Sequence, residues 1–184
     1  MNSVFSKKQI LTLFIVLIAA TIVFFQVRAE ASRDKPTSTV SMHFDLSESF
    51  QSVDQLRASS PVIARVKINT TKSYPYGNVV FTLSDASVQK VYKGQLGKQI
   101  RILETGGSYE GLQYLAEGNA VFAASEEAVV FLEKYEGPVA EDAYVIKGVY
   151  QGKFKVAGER LIPSSQVSGE LQSIQSFHDL QISK

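Results

Sequence analysis

After Pro61 the chain changes period. Val62, Ala64, Val66 and Ile68 alternate with Ile63, Arg65, Lys67 and Asn69, and a period of two sustained over eight residues marks a half-buried strand. Short runs of strand-forming residues recur from there to Val156, and glycines at 137, 148, 152 and 158 punctuate the later ones. Many short strands with strong bends between them favour a small closed or nearly closed barrel. No other feature limits the possible folds as much.

The elements around this alternation can be read individually. Ser52-Val53-Asp54-Gln55 has the spacing of a capping box, so a short helix carrying Val53 and Leu56 is predicted to end near Ser59-Ser60-Pro61. Residues 70–78, with Tyr74-Pro75-Tyr76-Gly77-Asn78, read as a loop. The longest predicted strand, 79–92, places Val79, Phe81 and Leu83 on one face and is interrupted at Ser84-Asp85-Ala86. A bulge there lets one strand serve two parts of a curved sheet. Lys93-Gly94 is a turn, residues 99–104 a strand with Ile100 and Ile102 inward, and Gly106-Gly107 with Gly111 a mobile loop. Further strands are predicted at 120–123, 128–135, 144–149 and 153–156. In the tail, Val167, Leu171, Ile174, Phe177 and Leu180 fall at helical spacing, although Gly169 weakens the first turn.

Upstream lies an uncharged run of sixteen residues, 10–25, with Lys7 and Lys8 before it and Val27-Arg28-Ala29-Glu30-Ala31 after it. A basic start, an apolar centre and a small-x-small exit compose an export signal. The run is long for a signal core and slightly short for a bilayer span of about 20 residues, so cleavage after Ala29 or Ala31 and retention as a single-pass anchor both stand. Either way the positive-inside rule sends the rest of the chain to the outer face. The expected organisation is a signal peptide or signal anchor at 1–31, a polar linker at 32–48 containing Ser-Arg-Asp-Lys-Pro-Thr-Ser-Thr-Val-Ser, a barrel at 49–162 and a helical tail at 163–184. Phe44, Leu46 and Phe50 begin the packed region.

Without Lys7, Lys8, Arg28 and Glu30, the 19 basic and 18 acidic residues become 16 and 17, a net charge of −1. No basic stripe is present, and phosphate neutralisation supplies most nucleic-acid affinity, so nucleic acid is not an expected partner. Cysteine is absent. The exported domain must therefore hold itself by core packing, with no thiol chemistry and no thiolate-bound metal.

Five stretches recur together in a known group: Val62-Ile63-Ala64-Arg65-Val66, a long strand closed by Tyr92-Lys93-Gly94, the Gly106-Gly107 loop, Val129-Val130-Phe131-Leu132, and Gln151-Gly152-Lys153-Phe154-Lys155-Val156. In this order they resemble the small OB-like domains of uncharacterised exported proteins of Gram-positive bacteria, and more distantly netrin-like and tissue-inhibitor-of-metalloproteinase domains. The resemblance covers residues 52–161. It implies an OB-like fold in an extracellular setting. Together with the two helices read from the residues, the expected architecture is mainly β, a closed or partly open OB-like barrel with a short N-terminal helix and a C-terminal helix. The inhibitor branch chelates metal through an amino-terminal cysteine, which this chain lacks, so that mechanism does not transfer.

Catalytic patterns are missing. His43 and His178 are the only histidines and stand far apart; both read as surface residues rather than as members of a triad or a metal site. There is no Gly-x-Ser-x-Gly elbow. Gly106-Gly107-Ser108 lacks the lysine and helix start of a phosphate loop. Asn69-Thr70-Thr71 matches a glycosylation sequon, without meaning in a bacterial source. Glu126-Glu127 reads as a turn cap more readily than as a catalytic carboxylate pair. No cofactor is expected. The residues most suited to contact are aromatic: Tyr74, Tyr76, Tyr109 and Tyr114 sit in predicted loops, and tyrosines on a rigid scaffold combine flat apolar area with a hydroxyl. The expected function is a non-enzymatic binding module of the cell envelope, for an envelope protein, a peptide or a glycan, with the membrane touched only through an uncleaved N-terminal segment. The alternatives are a membrane-tethered accessory docking through its tail helix and, last, an envelope hydrolase.

Overall fold

The computed structural model describes residues 38–43 and 48–182. The expected export segment at 10–25, and Phe44 and Leu46, lie outside the described residues. Among the described residues no helix is long and apolar enough to cross a membrane.

The chain folds as one mainly β sheet of nine strands. Helix α1 (Val53–Ser59) starts as expected, with the Ser52 hydroxyl accepting from the Gln55 backbone N–H. The Gln55 side chain reaches back to the Gln51 N–H rather than to that of Ser52. Val53 and Leu56 are its buried residues. Strands β2 (Val62–Tyr76) and β3 (Val79–Lys93) then form a long antiparallel hairpin. The predicted loop 70–78 is therefore mostly strand, turned by Gly77 and Asn78. Gly77 takes φ +58 at the first central position, where a two-residue hairpin turn most favours glycine. The register slips at three points, leaving Asn69, Gln89 and Tyr92 as extra residues. Such bulges increase local twist and curl the hairpin.

Strands β4 (Gln99–Tyr109), β5 (Leu112–Ala116), β6 (Glu127–Lys134), β7 (Ala143–Ile146), β8 (Lys153–Ala157) and β9 (Arg160–Pro163) follow. β7 pairs in parallel with β4 and antiparallel with β6, while β6 pairs with β2. The order β2-β3-β4-β7-β6 thus runs round a ring, with β7 contributing only three register pairs to each neighbour. β8 and β9 extend the sheet from β6.

A second group of strands, here called the flap, stands beside the ring. It consists of residues 106–109 of β4, β5, and β1 (Ser38–Met42), which pairs in parallel with β5. Two expectations are corrected here. Residues 38–42 of the expected linker 32–48 are a strand, and Gly106-Gly107 is a bend within β4 rather than a mobile loop. Both glycines are buried, at φ +108 and +124, and the Thr82 hydroxyl donates to the Gly106 carbonyl at 2.7 Å. A Cβ on Gly107 would lie 2.1 Å from Thr82 Oγ1, so only glycine lets the strand cross so close.

The core is divided in two. One cluster fills the ring with Ala64, Val66, Ile68, Ile102, Val130 and Leu132, among others. The other, with Ile63, Val129, Phe131 and Phe154, lies outside the ring beneath α1 and the tail. Alternate residues of β6 belong to alternate clusters, so the run 128–132 is fully buried on both faces. This explains why that strand reads as continuous hydrophobicity without alternation. In β3 the buried residues are Val80, Thr82, Ser84 and Ala86. The face with Val79, Phe81 and Leu83 is only half-buried. Residues 120–123, expected as a strand, are irregular chain that delivers Phe122, only 4% exposed, into the ring.

Among the described residues of the tail, the expected C-terminal helix is not formed. The tail holds one 3-10 turn (Gly169–Ser173) followed by further turns. Three local features break a helix there. Gly169 sits at φ +67, the 174–176 backbone lies along β9 with Leu161 N–H donating to the Gln175 carbonyl, and the Asp179 carboxylate caps the N–H groups of Gln175 and Ser176. The apolar residues pack nonetheless: Val167, Leu171, Ile174 and Leu180 are all buried in the outer cluster. Phe177 is partly buried against the same cluster.

Candidate functional site

On the β2–β3 hairpin, Tyr74 stands opposite Phe81 and Tyr76 opposite Val79. Residues two apart on a strand share a face, so Tyr74, Tyr76, Val79, Phe81 and Leu83 form one strip on the side away from the ring interior. Tyr76 is 47% exposed; Tyr74, Val79, Phe81 and Leu83 are half-buried. The 135–142 connection lies against this strip. The Tyr74 hydroxyl donates to the Val139 carbonyl at 3.1 Å, and the Val139 N–H donates to the Tyr135 hydroxyl at 3.3 Å. The Arg101 guanidinium, on β4 beside the hairpin, donates to the Glu141 carbonyl. Burial raises the Tyr74 pKa, Tyr135 adds to the rise and Arg101 opposes it, so the group remains a neutral donor. Tyr74 thus positions the connection, and Tyr76 is the open member of the pair.

Tyr109 and Tyr114 lie elsewhere. They belong to the β4–β5 hairpin, whose turn residues Glu110 and Gly111 both take positive φ, 49 and 76. Tyr114 stands opposite Gly107, and Tyr109 opposite Leu112, so all four share a face of the flap. Because a Cβ on Gly107 would meet both Thr82 and Ser73 side chains, that face turns toward the side of the β2–β3 hairpin bearing Ser73, not the side bearing Tyr74. Glu110 raises the Tyr109 pKa, with burial and Tyr114 adding to the shift. The four tyrosines therefore form two separate pairs. None of them occupies an irregular loop.

A cluster that the sequence reading passed over lies between β4, β8 and the 117–126 connection. Glu104 Oε1 accepts from Lys153 Nζ at 2.7 Å, with the side chains only 6% and 14% exposed. Glu104 Oε2 accepts from the Phe122 N–H at 2.8 Å. Lys153 also donates to the Ala120 carbonyl and stands 4.6 Å from the Phe122 ring centre. Glu126 accepts from the Ala123 N–H and from Lys155. Burial alone would raise the Glu126 pKa, but these bonds outweigh it and the net shift is downward. Glu126 is thus a turn cap, as its sequence position suggested. The signal for Glu104 was its phase: it follows Ile100 and Ile102 on the inward side of β4.

The cleft here measures about 320 Å³ and is lined by Phe122, Lys153, Lys155 and Ile162 among others. Its charges already satisfy one another, and the pair clamps the plug residue Phe122. A second group, Lys147 with Glu48 and Glu133 at 2.7 and 2.8 Å, ties residue 48 to the ring. Burial would lower the Lys147 pKa, yet the two carboxylates raise it overall. Among the described residues no set of three His, Asp or Glu is placed to hold a metal ion. The exposed His43 pairs with Glu117 at 3.3 Å. Comparison of the chain with protein-family models, with curated proteins and with solved structures gave no match.

Proposed function

We propose that this chain is an exported, non-enzymatic binding module of the bacterial cell envelope, built on an OB-like barrel. The ring order supports the barrel reading: a strand meander β2-β3-β4, then β6 pairing back to β2, and β7 closing in parallel on β4. OB-like barrels hold oligomeric ligands on the face of their second and third strands, between the first hairpin and the loop joining the last two. The observation that carries the proposal is the strip on the first two ring strands, β2 and β3, which borders that face through Phe81 and Leu83. An open Tyr76 stands beside Phe81 and Tyr74, edged by the 135–142 connection and Arg101. Flat aromatic surface with hydroxyl and guanidinium donors suits an extended wall glycan or an envelope peptide. Tyr109 and Tyr114 then serve as a separate contact pair.

The chain has eight tyrosines and no tryptophan, so tyrosine fluorescence reports directly on such binding. Titration with soluble wall-glycan oligosaccharides, and separately with envelope-derived peptides, is expected to show saturable binding to one class. Tyr76→Ala should weaken it at least tenfold with an unchanged melting temperature. Equal binding by Tyr76→Ala and wild type would remove the strip from the function. The outer-face location rests on the run 10–25, and amino-terminal sequencing of the native protein tells a cleaved run from a retained one. A start at Glu30 or Ser32 means a released protein, and an intact Met1 or Asn2 a tethered one.

A further inference from the structure

We propose that β1 is an exchangeable strand, and that the β5 edge takes β1 from a second copy of this chain in the same parallel register. β1 is joined to the molecule almost entirely through its main chain. Its five residues pair with β5 from Ser38↔Leu112 to Met42↔Ala116, and the Glu117 N–H donates to the Met42 carbonyl at 2.9 Å. None of its side chains is buried; Val40 and Met42 are half-buried and the other three are exposed. Among the described residues a side-chain tie at its end, His43 to Glu117, is on the surface.

Ordering five residues costs backbone entropy, and two half-buried side chains, Val40 and Met42, add only a little apolar burial to the ladder that offsets it. Such a strand opens locally far more often than the ring does. When it leaves, the β5 edge presents unpaired N–H and C=O groups, the situation that recruits another strand. The strand best matched to that edge is the same sequence from a neighbouring copy. Every cis contact, including those of Met42 and His43 with Glu117, is available unchanged in trans, so local concentration decides between them. This surface is distinct from the Tyr74–Tyr76 strip, and the proposal does not depend on what that strip binds.

The absence of cysteine makes the test clean. Thr39 stands opposite Gln113, and directly opposed strand residues lie within disulfide range. Full-length Thr39→Cys and full-length Gln113→Cys are mixed, incubated and mildly oxidised; Thr39→Cys with Lys155→Cys controls for random collision. Cross-linked dimer at least tenfold above the control is expected, and the doubly substituted chain Thr39→Cys/Gln113→Cys should close on itself. Closure of the double variant with the mixture at control level overturns the proposal, because the register is then right and exchange absent. Failure of the double variant to close overturns it too, since the register itself is then wrong. A synthetic peptide of residues 38–43 should compete the dimer away. A dimer yield indifferent to that peptide also counts against strand exchange.

Discussion

The ring and the flap are built from strands of similar composition and share β4, yet they are held in different ways. In β6 five successive residues are fully buried, divided between two cores. In the flap, Gly106, Gly107 and Ala116 are the only buried residues. The ring is a packed object; the flap is a hydrogen-bonded ribbon leaning on it through a glycine bend. Pairing alone makes a strand, and burial makes it permanent.

This contrast orders the expected effects of substitution. The largest should come from Phe131→Ala, which empties a T-shaped contact with Phe154 at 5.8 Å. Loss of about 4 kcal/mol is expected in urea unfolding, and a loss below about 1 kcal/mol would mean the outer cluster does not anchor the ring. Next, Lys153→Met leaves Glu104 buried without its cation, at a cost of about 3 kcal/mol. Lys155→Met, removing a half-exposed partner of Glu126, should cost less than about 1 kcal/mol. Equal losses from the two would show that the Glu104 pair is no more a clamp than a surface pair.

Gly107→Ala tests the junction. Its Cβ would press on Thr82 and Ser73 at a φ of +124, so about 2 kcal/mol should be lost. Amide exchange should quicken in β5 before it quickens in β6; simultaneous acceleration would make flap and ring one cooperative unit. Val40→Ala, in contrast, should change global stability by less than about 0.5 kcal/mol. The smallest effect concerns acid. Glu126 has a lowered pKa in the folded state. Its contribution is therefore present above the ordinary carboxyl range and is lost as pH falls through the folded value. Glu126→Gln should narrow the stability difference between pH 7 and pH 3, read from urea midpoints. An unchanged difference would place the acid sensitivity elsewhere.

Much of the ring was legible in the sequence, and its particulars show why. Ser52 with Gln55 announced α1 because capping is local chemistry. The alternation from Val62 to Ile68 announced β2 because one of its faces meets the ring interior. What failed was everything decided by a partner distant in sequence. The buried face of β3 carries Thr82 and Ser84, and polar residues were not read as inward. Thr82 is satisfied there by the Gly106 carbonyl and by Ser73. Gly106-Gly107 looked like a loop because positive φ usually marks a turn, whereas here it allows a strand to cross another. The tail spacing imitated a helix because consecutive tight turns also return apolar residues to one side. Tyr74 and Tyr76 share a face of β2. Tyr109 and Tyr114 were joined to them only because Gly, Pro and Ser neighbours suggested loops, and register separates them.

The closure of the ring through β7 also has a kinetic side. The β2–β3 hairpin can zip from its own turn, but Val62 must find Leu132 and Arg101 must find Ala143. Contacts of such separation form late, because loop-closure entropy is spent before they reward it. A chain emerging from its amino terminus thus carries an open, curled meander until Ile146 has appeared. The apolar run of β6 is uncovered on at least one side throughout that interval. For this molecule the period of greatest vulnerability to aggregation lies between the emergence of β6 and the arrival of the tail that completes its outer cover.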